Sequence, residues 1–348
     1  MDLDIGGVQE RVITREEYPL EKAREFLKGM TIAILGYGVQ GPGQSMNLRD
    51  NGLDVIVGQR TGSESYERAL ADGWKPGKTL FGLEDAAKRG SLVINLLSDA
   101  GQKGTWQSLR GCLSGALGFS HGFSITYQDQ TGVVPPSDID VFLVAPKGTG
   151  RSVRENFLAG SGINSSFAVH QNFSMRAEEM AIAYGIAIGS GYLFPTTFRN
   201  ETVSDLVGER GVLLGALWGI MEAQYEKFRT EGHSPSEAFN ETVEELTQSL
   251  VPLMGRKGVD FLLANCSATA QRGALDYGPR FKAAVAPLFN ELYARVTDGS
   301  EARRVLEANS KPGYRAGLGA ELAQIRNSEM WRAGEAVRSL RPENQKKS

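Results

Sequence analysis

Six residues constrain this chain more than any others: Gly36, Tyr37, Gly38, Val39, Gln40 and Gly41, a G-x-G-x-x-G run. An apolar stretch at 31–35 precedes it and reads as a strand; a stretch through residue 48 follows and reads as a helix. That strand-turn-helix context is what gives the pattern meaning. Its glycines permit a tight turn and bring the backbone close to a pyrophosphate, which then faces a helix N-terminus. A chain built this way is committed to a parallel sheet with helices on both faces.

The first half of the chain agrees with that commitment. Further strands are expected at 54–57, 91–97, 116–119, 140–144 and 166–169, and 184–188 reads either as a strand or as the end of a helix. Past residue 200 no strand pattern remains. Glu201 to Gly232 places Leu206, Leu213, Leu217, Ile220 and Met221 at helical spacing and reads as one long helix. Ser234 then caps a new helix, with Pro235 at its first position and Glu237 closing a capping box. That helix is expected to end near Ser249, before Pro252. Others are expected at 280–295, 300–308 and 317–338, with a frayed tail at 344–348. The expected fold is an α/β Rossmann-type domain over 1–195 and an all-α domain over 196–348, which suits a length of 348 residues.

Several function classes drop out. A net charge of −3 with no basic tract argues against nucleic acid as a partner. Cys112 and Cys266 stand alone, without a Cys-x-x-Cys, so no zinc cluster or disulfide framework is expected. No apolar run approaches the roughly 20 residues a bilayer requires. Residues 1–17 are too acidic for a signal or transit peptide. The expected location is the cytoplasm of a bacterium, or an organelle as a mature form in a eukaryote.

The second strand ends Val57-Gly58-Gln59-Arg60, without the acid that binds a ribose 2′-hydroxyl in NAD sites. Arg60 offers a guanidinium fork to a 2′-phosphate, and Ser63 and Ser65 add hydroxyls, so NADPH is the expected cofactor. Arg60 also reads as an ordinary surface arginine, and a register slip would bring Glu64 to the ribose. Lys147 and His121 each follow an apolar run and fall at the carboxyl end of a strand, where open parallel sheets bind ligands. His170 has a similar placement.

The helical half carries two acid pairs at one spacing, Asp205 with Glu209 and Glu241 with Glu245. Four residues are about one helical turn, so each pair projects from one face and repels itself. A hard divalent cation such as Mg²⁺ turns that repulsion into attraction. Such pairs are also common on solvated faces. Residues 202–205 read as a capping box, which explains Asp205 without a metal.

Taken together, GYGVQG (36–41), NLRDNG (47–52), SHGF (120–123), APKG (145–148), TTF (196–198), SDLVGE (204–209), Glu241 with Glu245, and CSAT (266–269) resemble one family, the ketol-acid reductoisomerases. The resemblance spans roughly residues 30 to 340. It is nearest the fungal-like branch through NETVEE (240–245), RGALD (272–276) and LRPENQ (340–345), and the chain has the length of the short form. The resemblance implies a Mg²⁺-dependent alkyl shift in 2-acetolactate or 2-aceto-2-hydroxybutyrate, then reduction by NADPH to a 2,3-dihydroxy acid. This places the chain in valine, leucine and isoleucine synthesis.

By the same resemblance, two Mg²⁺ ions sit at Asp205, Glu209, Glu241 and Glu245. Asp205 bridges them and Glu245 also takes part in proton transfer. Ser267 holds the substrate carboxylate, and Lys147 and His121 are polar groups near the metals and nicotinamide. Ser98, Asp99, Gln102, His121 and Gly148 join the glycine run, Arg60, Ser63 and Ser65 around the cofactor. The helical domain is expected to be knotted or intertwined. The enzyme is expected to be a homodimer or higher oligomer in which Glu241, Glu245 and Ser267 face Asp205 and Glu209 of the partner. Two segments depart from the family pattern, SDAG (98–101) and NFSM (172–175), and both are expected at the cofactor edge. A metal-free β-hydroxy-acid dehydrogenase would need a lysine on the first interdomain helix, where only Lys227 is available, late in the helix. A non-catalytic NADPH sensor leaves Lys147 and the acid pairs unexplained.

Overall fold

Short aliphatic runs bounded by glycine, asparagine or proline form the strands, and the core of the first unit lies on them. The computed structural model describes residues 1–345 and divides into two units, Met1–Ser204 and Asp205–Ser348.

In the first unit, β1 (Asp2–Ile5) and β2 (Val8–Arg11) form a separate antiparallel hairpin. Gly6 and Gly7 at its turn have φ of 65° and 88°, the left-handed values such a two-residue turn needs. Nine strands make one sheet: β3 (Ile13–Thr14), β4 (Ile32–Leu35), β5 (Val55–Gly58), β6 (Leu80–Phe81), β7 (Leu92–Asn95), β8 (Ala116–Phe119), β9 (Asp140–Pro146), β10 (Ser165–Gln171) and β11 (Tyr192–Pro195). Their spatial order is β3-β11-β10-β9-β8-β7-β4-β5-β6. From β9 to β6 every neighbouring pair is parallel. These strands are buried along their length, as expected when both faces are covered. The covering and connecting helices include α1 (Gly41–Asp50), α2 (Glu64–Ala71), α3 (Asp99–Leu109), α4 (Gly150–Leu158), α5 (Ala177–Ala187) and α6 (Phe198–Arg210).

The sheet is mixed, not wholly parallel. β10 runs antiparallel to β9, β11 parallel to β10, and β3 antiparallel to β11. β10 starts where β9 ends, with Ser165 opposite Pro146, although α4 has about the length of α1 and α2, which lead to parallel strands. Residues 184–188 close α5 rather than forming a strand. β1, β2, β3, β6 and β11 are too short or too polar to stand out in the sequence.

In the second unit, the single helix expected over 201–232 is two, α6 and α7 (Gly215–Thr230). The chain folds tightly between them, and a Cβ on Gly215 would lie 2.3 Å from the Arg210 carbonyl oxygen. α8 (Pro235–Phe239) begins as expected, with Ser234 Oγ accepting from the Glu237 N–H at 3.1 Å. The helix then widens over 240–250. Glu245 N–H donates to Asn240 O and Val251 N–H to Leu246 O, an i→i+5 pattern. It continues through Pro252 as α9 (Val251–Lys257), because Pro252 falls in the first turn after that change of register, where a missing N–H costs least.

α10 (Ala268–Thr297) is longer than the stretch expected at 280–295, and α11 (Ser300–Ser310) covers the one expected at 300–308. The helix expected at 317–338 is split by Asn327 and Ser328 into α12 (Tyr314–Arg326) and α13 (Glu329–Ser339). Tyr225, Ala238, Phe239, Val243 and Met330 make a small core. α10 buries only Val296 of its 30 residues. Asn344 and Gln345 are held by side-chain bonds to Arg338 and Leu340 carbonyls, and 346–348, the rest of the expected frayed tail, lie outside the described residues. Among the described residues no helix is long and apolar enough to cross a membrane.

Candidate active site

The parallel strands from β9 to β6 deliver their carboxyl ends to one sheet edge. Leu35 leads there into the glycine loop, Asn95 into 96–98, Phe119 into Ser120 and His121, and Pro146 into Lys147. β4 is also where the order reverses, with β5 on one side and β7 on the other, the switch point at which such sheets bind ligands.

The glycines of the loop have separate reasons. Gly36 has φ of 99°, and a Cβ there would press on the Leu97 nitrogen at 2.9 Å. A Cβ on Gly41 would sit 2.2 Å from the Gly36 oxygen. Gly38 is different: a Cβ there meets nothing within 4 Å, so the loop is open at its middle, where a pyrophosphate needs room. Val39 is exposed, while Tyr37 is fully buried below the loop, its hydroxyl donating to Asp72 Oδ2 at 2.8 Å and accepting from Trp74 Nε1 at 2.9 Å. Gln40 Nε2 donates to the Gly148 carbonyl at 3.0 Å. These residues fit a dinucleotide.

Past β5, Arg60 is exposed and its guanidinium joins no ion pair among the described residues. Ser63 caps α2: its hydroxyl accepts from Tyr66 N and donates to Arg60 O at 2.7 Å, so its proton is already committed. Ser65 is half-buried in the first turn and Glu64 exposed. After β7, Ser98 caps α3 by accepting from Gly101 N, Asp99 opens that helix, and buried Gln102 donates to Leu97 O at 2.9 Å. Gln102 therefore braces the loop from behind.

The strand ends of β8 and β9 converge on Glu201, which no motif or spacing in the sequence singled out. Glu201, 2% exposed, lies on α6. Its Oε2 is 3.1 Å from His121 Nδ1 and accepts from Gly122 N at 2.8 Å, while its Oε1 accepts from Lys147 Nζ at 3.3 Å. Burial pushes the Glu201 carboxyl up, but the His121 hydrogen bond and charge, Lys147 and the Gly122 N–H outweigh it and hold the group below its ordinary value. Gly122 makes the approach possible, since a Cβ there would meet Phe198 O at 2.5 Å and Thr202 Oγ1 at 2.6 Å. Glu201, Asp205 and Glu209 stand at one spacing of four, and extending the Asp205–Glu209 spacing one step back would have found Glu201.

Asp205 follows one turn later on the same continuous helix. Among the described residues, the one group of at least three possible ligands is His121, Glu201 and Asp205, whose donor atoms lie within 4.8 Å of one another. Glu201 already accepts hydrogen bonds on both oxygens, which leaves Asp205 as the other carboxylate of the group. Half-buried Asp205 and exposed Glu209, which lies 3.8 Å from Arg210, carry hard oxygen donors of the kind Mg²⁺ takes. Glu241 and Glu245 are exposed on the widened helix and pair with no cation among the described residues. Glu244 between them is buried and bound to Arg341 at 2.7 Å. The donor chemistry of both pairs fits Mg²⁺, although Glu209, Glu241 and Glu245 lie outside the one group. Widened turns of this kind occur often at functional sites. Ser267 caps the N-terminus of α10 by accepting from Ala270 N at 3.2 Å.

Two expectations fail here. His170 does not share the placement of His121. It is the bulged residue on β10 between the pairs Val169–Phe142 and Gln171–Val141, away from the Pro146 end of β9. Residues 172–175 follow it toward the amino end of β9, where Asp140 binds Ser174. They lie opposite the ligand edge because β10 runs antiparallel, and only the departure at 98–101 is at the cofactor side.

Known proteins resemble this chain in sequence and fold. The family model "Acetohydroxy acid isomeroreductase, NADPH-binding domain" matches residues 26–192, and "Ketol-acid reductoisomerase, C-terminal domain" matches 198–343. The chain is 62% identical over 347 residues to the ketol-acid reductoisomerase (NAD(+)) of Desulfosudis oleivorans, covering 99% of each. It is 56% identical to the mitochondrial ketol-acid reductoisomerase of Neurospora crassa, covering 99% of this chain and 86% of that one. The structure of an NADH-preferring ketol-acid reductoisomerase from an uncultured archean superposes with a TM-score of 0.85 at 30% identity, covering 95% of this chain and 99% of that one. A nicotinamide site on the glycine loop, a polar cluster on the neighbouring strand ends and a helical domain with paired carboxylates therefore have one explanation: the chain belongs to the ketol-acid reductoisomerases, which rearrange an acetohydroxy acid and reduce the product with a nicotinamide cofactor.

Proposed function

We propose that this enzyme isomerises 2-acetolactate or 2-aceto-2-hydroxybutyrate at a two-Mg²⁺ site and reduces the product with NADPH, in a site completed by a second copy of the chain. The observation that carries the reading is the Glu201 cluster, which presents His121 and Lys147 at the nicotinamide edge on the helix that continues to Asp205. When bound, the cations supply positive charge for adjacent substrate oxygens, and the reduced nicotinamide supplies the hydride. Asp205, Glu209 and Glu241 would hold the cations, with Glu245 beside them.

The chain's own residues do the rest. The Ser267 hydroxyl, which accepts from Ala270 N, keeps its proton to donate to the substrate carboxylate at a helix N-terminus. Glu245 exchanges the proton at the tertiary hydroxyl oxygen, a general acid–base role. Lys147, held by Glu201, presents its remaining N–H donors to the oxygen that gains negative charge in each step. His121, fixed through Nδ1, presents Nε2 on the same side.

The partner requirement is supported by the apolar surface of the second unit. Leu275, Tyr277, Phe281, Leu288 and Tyr293 on α10 are each more than half exposed, and so are Leu213 and Leu214. An apolar groove between α7 and α10 is lined by Ala216, Ile220, Val285, Leu288 and Phe289. Exposed area of this kind marks an interface. For the cofactor, Arg60 and Ser65 favour NADPH, since the Ser63 proton is spent within its own turn. NADH is the second reading, favoured by the names of the Desulfosudis and archean proteins.

Separating the half-reactions tests the roles. Glu245→Gln is expected to abolish isomerisation of 2-acetolactate while dinucleotide affinity, read by fluorescence titration, stays within about threefold. Lost cofactor affinity, or retained isomerisation, contradicts the assignment.

A further inference from the structure

We propose that Gln44 is a positioning residue that locks the dinucleotide loop to the strand ends bearing His121 and Lys147. Gln44 is fully buried in α1, one turn after Gln40. Its Nε2 donates to Gln40 Oε1 at 3.1 Å and to Ser120 Oγ at 2.9 Å. Its Oε1 accepts from Tyr184 OH at 2.6 Å and lies 3.3 Å from Ser120 Oγ. One amide thus spends its two donors and its acceptor on three elements. The amide of Gln40 completes the chain by donating to the carbonyl of Gly148, the residue after Lys147. Ser120 is the residue before His121.

A satisfied buried network of this kind fixes geometry, because any shift leaves a polar group unpaired away from water. Two close backbone contacts make the same connection. A Cβ on Gly150 would lie 1.9 Å from Val39 O, and one on Gly43 2.3 Å from Gly150 O, so the loop and the segment after Lys147 are in direct contact. Tyr184 anchors the network from α5, its ring packed edge-on to Phe142 of β9. The nicotinamide end of the cofactor and the two polar side chains must agree within a fraction of an ångström for hydride transfer. Gln44 holds both to one frame. It touches neither substrate nor cofactor, and its effect passes through Gln40 and Ser120.

The proposal rests on the assignment of His121 and Lys147 made above. The test is Gln44→Met, which keeps the volume and removes every polar bond. We expect kcat for 2-acetolactate with the preferred dinucleotide to fall at least tenfold, with the KM for substrate and the Kd for dinucleotide each within threefold. A smaller fall in kcat, or an equal loss of dinucleotide affinity, overturns the proposal. Should Gln44→Met fail to fold, Ser120→Ala breaks the same link to His121; the same fall in kcat is expected of it, and a smaller fall overturns the proposal in the same way. Lys147→Met and His121→Asn run alongside. If both lose activity while Gln44→Met does not, the coupling alone is wrong. If both stay active, the assignment of the strand ends fails and the coupling with it.

Discussion

Glu201 is a carboxylate almost without water, and it stays ionised because three donors reach it: His121, Gly122 N and Lys147. Removing one partner of such a buried set leaves the others uncompensated, typically a matter of about 3–5 kcal/mol. Because Glu201 holds His121 and Lys147, Glu201→Gln is also expected to lower kcat by roughly 10²-fold, with dinucleotide affinity nearly unchanged. A steady-state assay beside a cofactor titration checks this; an unchanged kcat would place the cluster outside the chemistry. At the cofactor's other end, Arg60→Glu is expected to weaken NADPH at least tenfold more than NADH. Equal weakening of the two would mean that Arg60 does not meet a 2′-phosphate. His121 and Lys147 were legible in the sequence because a polar residue after an apolar run falls at a strand's carboxyl end. Glu201 was marked only by standing four residues before Asp205, and its burial against two distant strand ends is nothing that spacing shows.

At the scale of elements, what the sequence showed and what it hid follow from range. The glycine run, the strand before it and the helix after it are set by neighbours, and all three stand where the pattern put them. No periodicity encodes the reversal at β10, since α4 has about the length of α1 and α2, which lead to parallel strands. The break between α6 and α7 was hidden because the apolar spacing runs on through it, while the tight turn depends on Gly211 and Gly215. Gly215→Ala forces a Cβ against the Arg210 carbonyl at 2.3 Å. It is expected to cost about 1–3 kcal/mol. Urea denaturation should show a lower midpoint with an unchanged slope; an unchanged midpoint would mean that the turn relaxes freely.

At the scale of the molecule, the second unit holds a buried charge cluster as well as its small core. Buried Glu301 binds Arg304 and Arg210 and lies 3.8 Å from Arg295. The Arg304 bond, against an opposing push from burial and with help from Arg210, lowers its carboxyl from 4.5 to about 2. A depressed carboxylate contributes stability that is fully present above its unfolded value near 4.5 and is lost as pH falls toward 2. The thermal midpoint of the parent should therefore drop more steeply between pH 5 and 3 than that of Glu301→Gln, by a margin calorimetry can read; parallel curves would contradict this. The exposed apolar side of α10 leads to a second expectation. Leu288→Glu should shift the enzyme toward monomer in sedimentation velocity and lower activity with it, and a fully active monomer would refute a shared site. The α/β and helical halves were legible from pattern, whereas the exposed apolar face of α10 was not marked by any periodicity read from the sequence.

Beneath all of these lies one claim: a single site performs a metal-dependent rearrangement and then a nicotinamide reduction. The rate of NADPH oxidation with 2-acetolactate, with and without Mg²⁺, puts it to the test. The expected result is turnover to the dihydroxy acid with Mg²⁺ and none after chelation. Turnover that persists without a divalent cation, or no turnover in either condition, would contradict it.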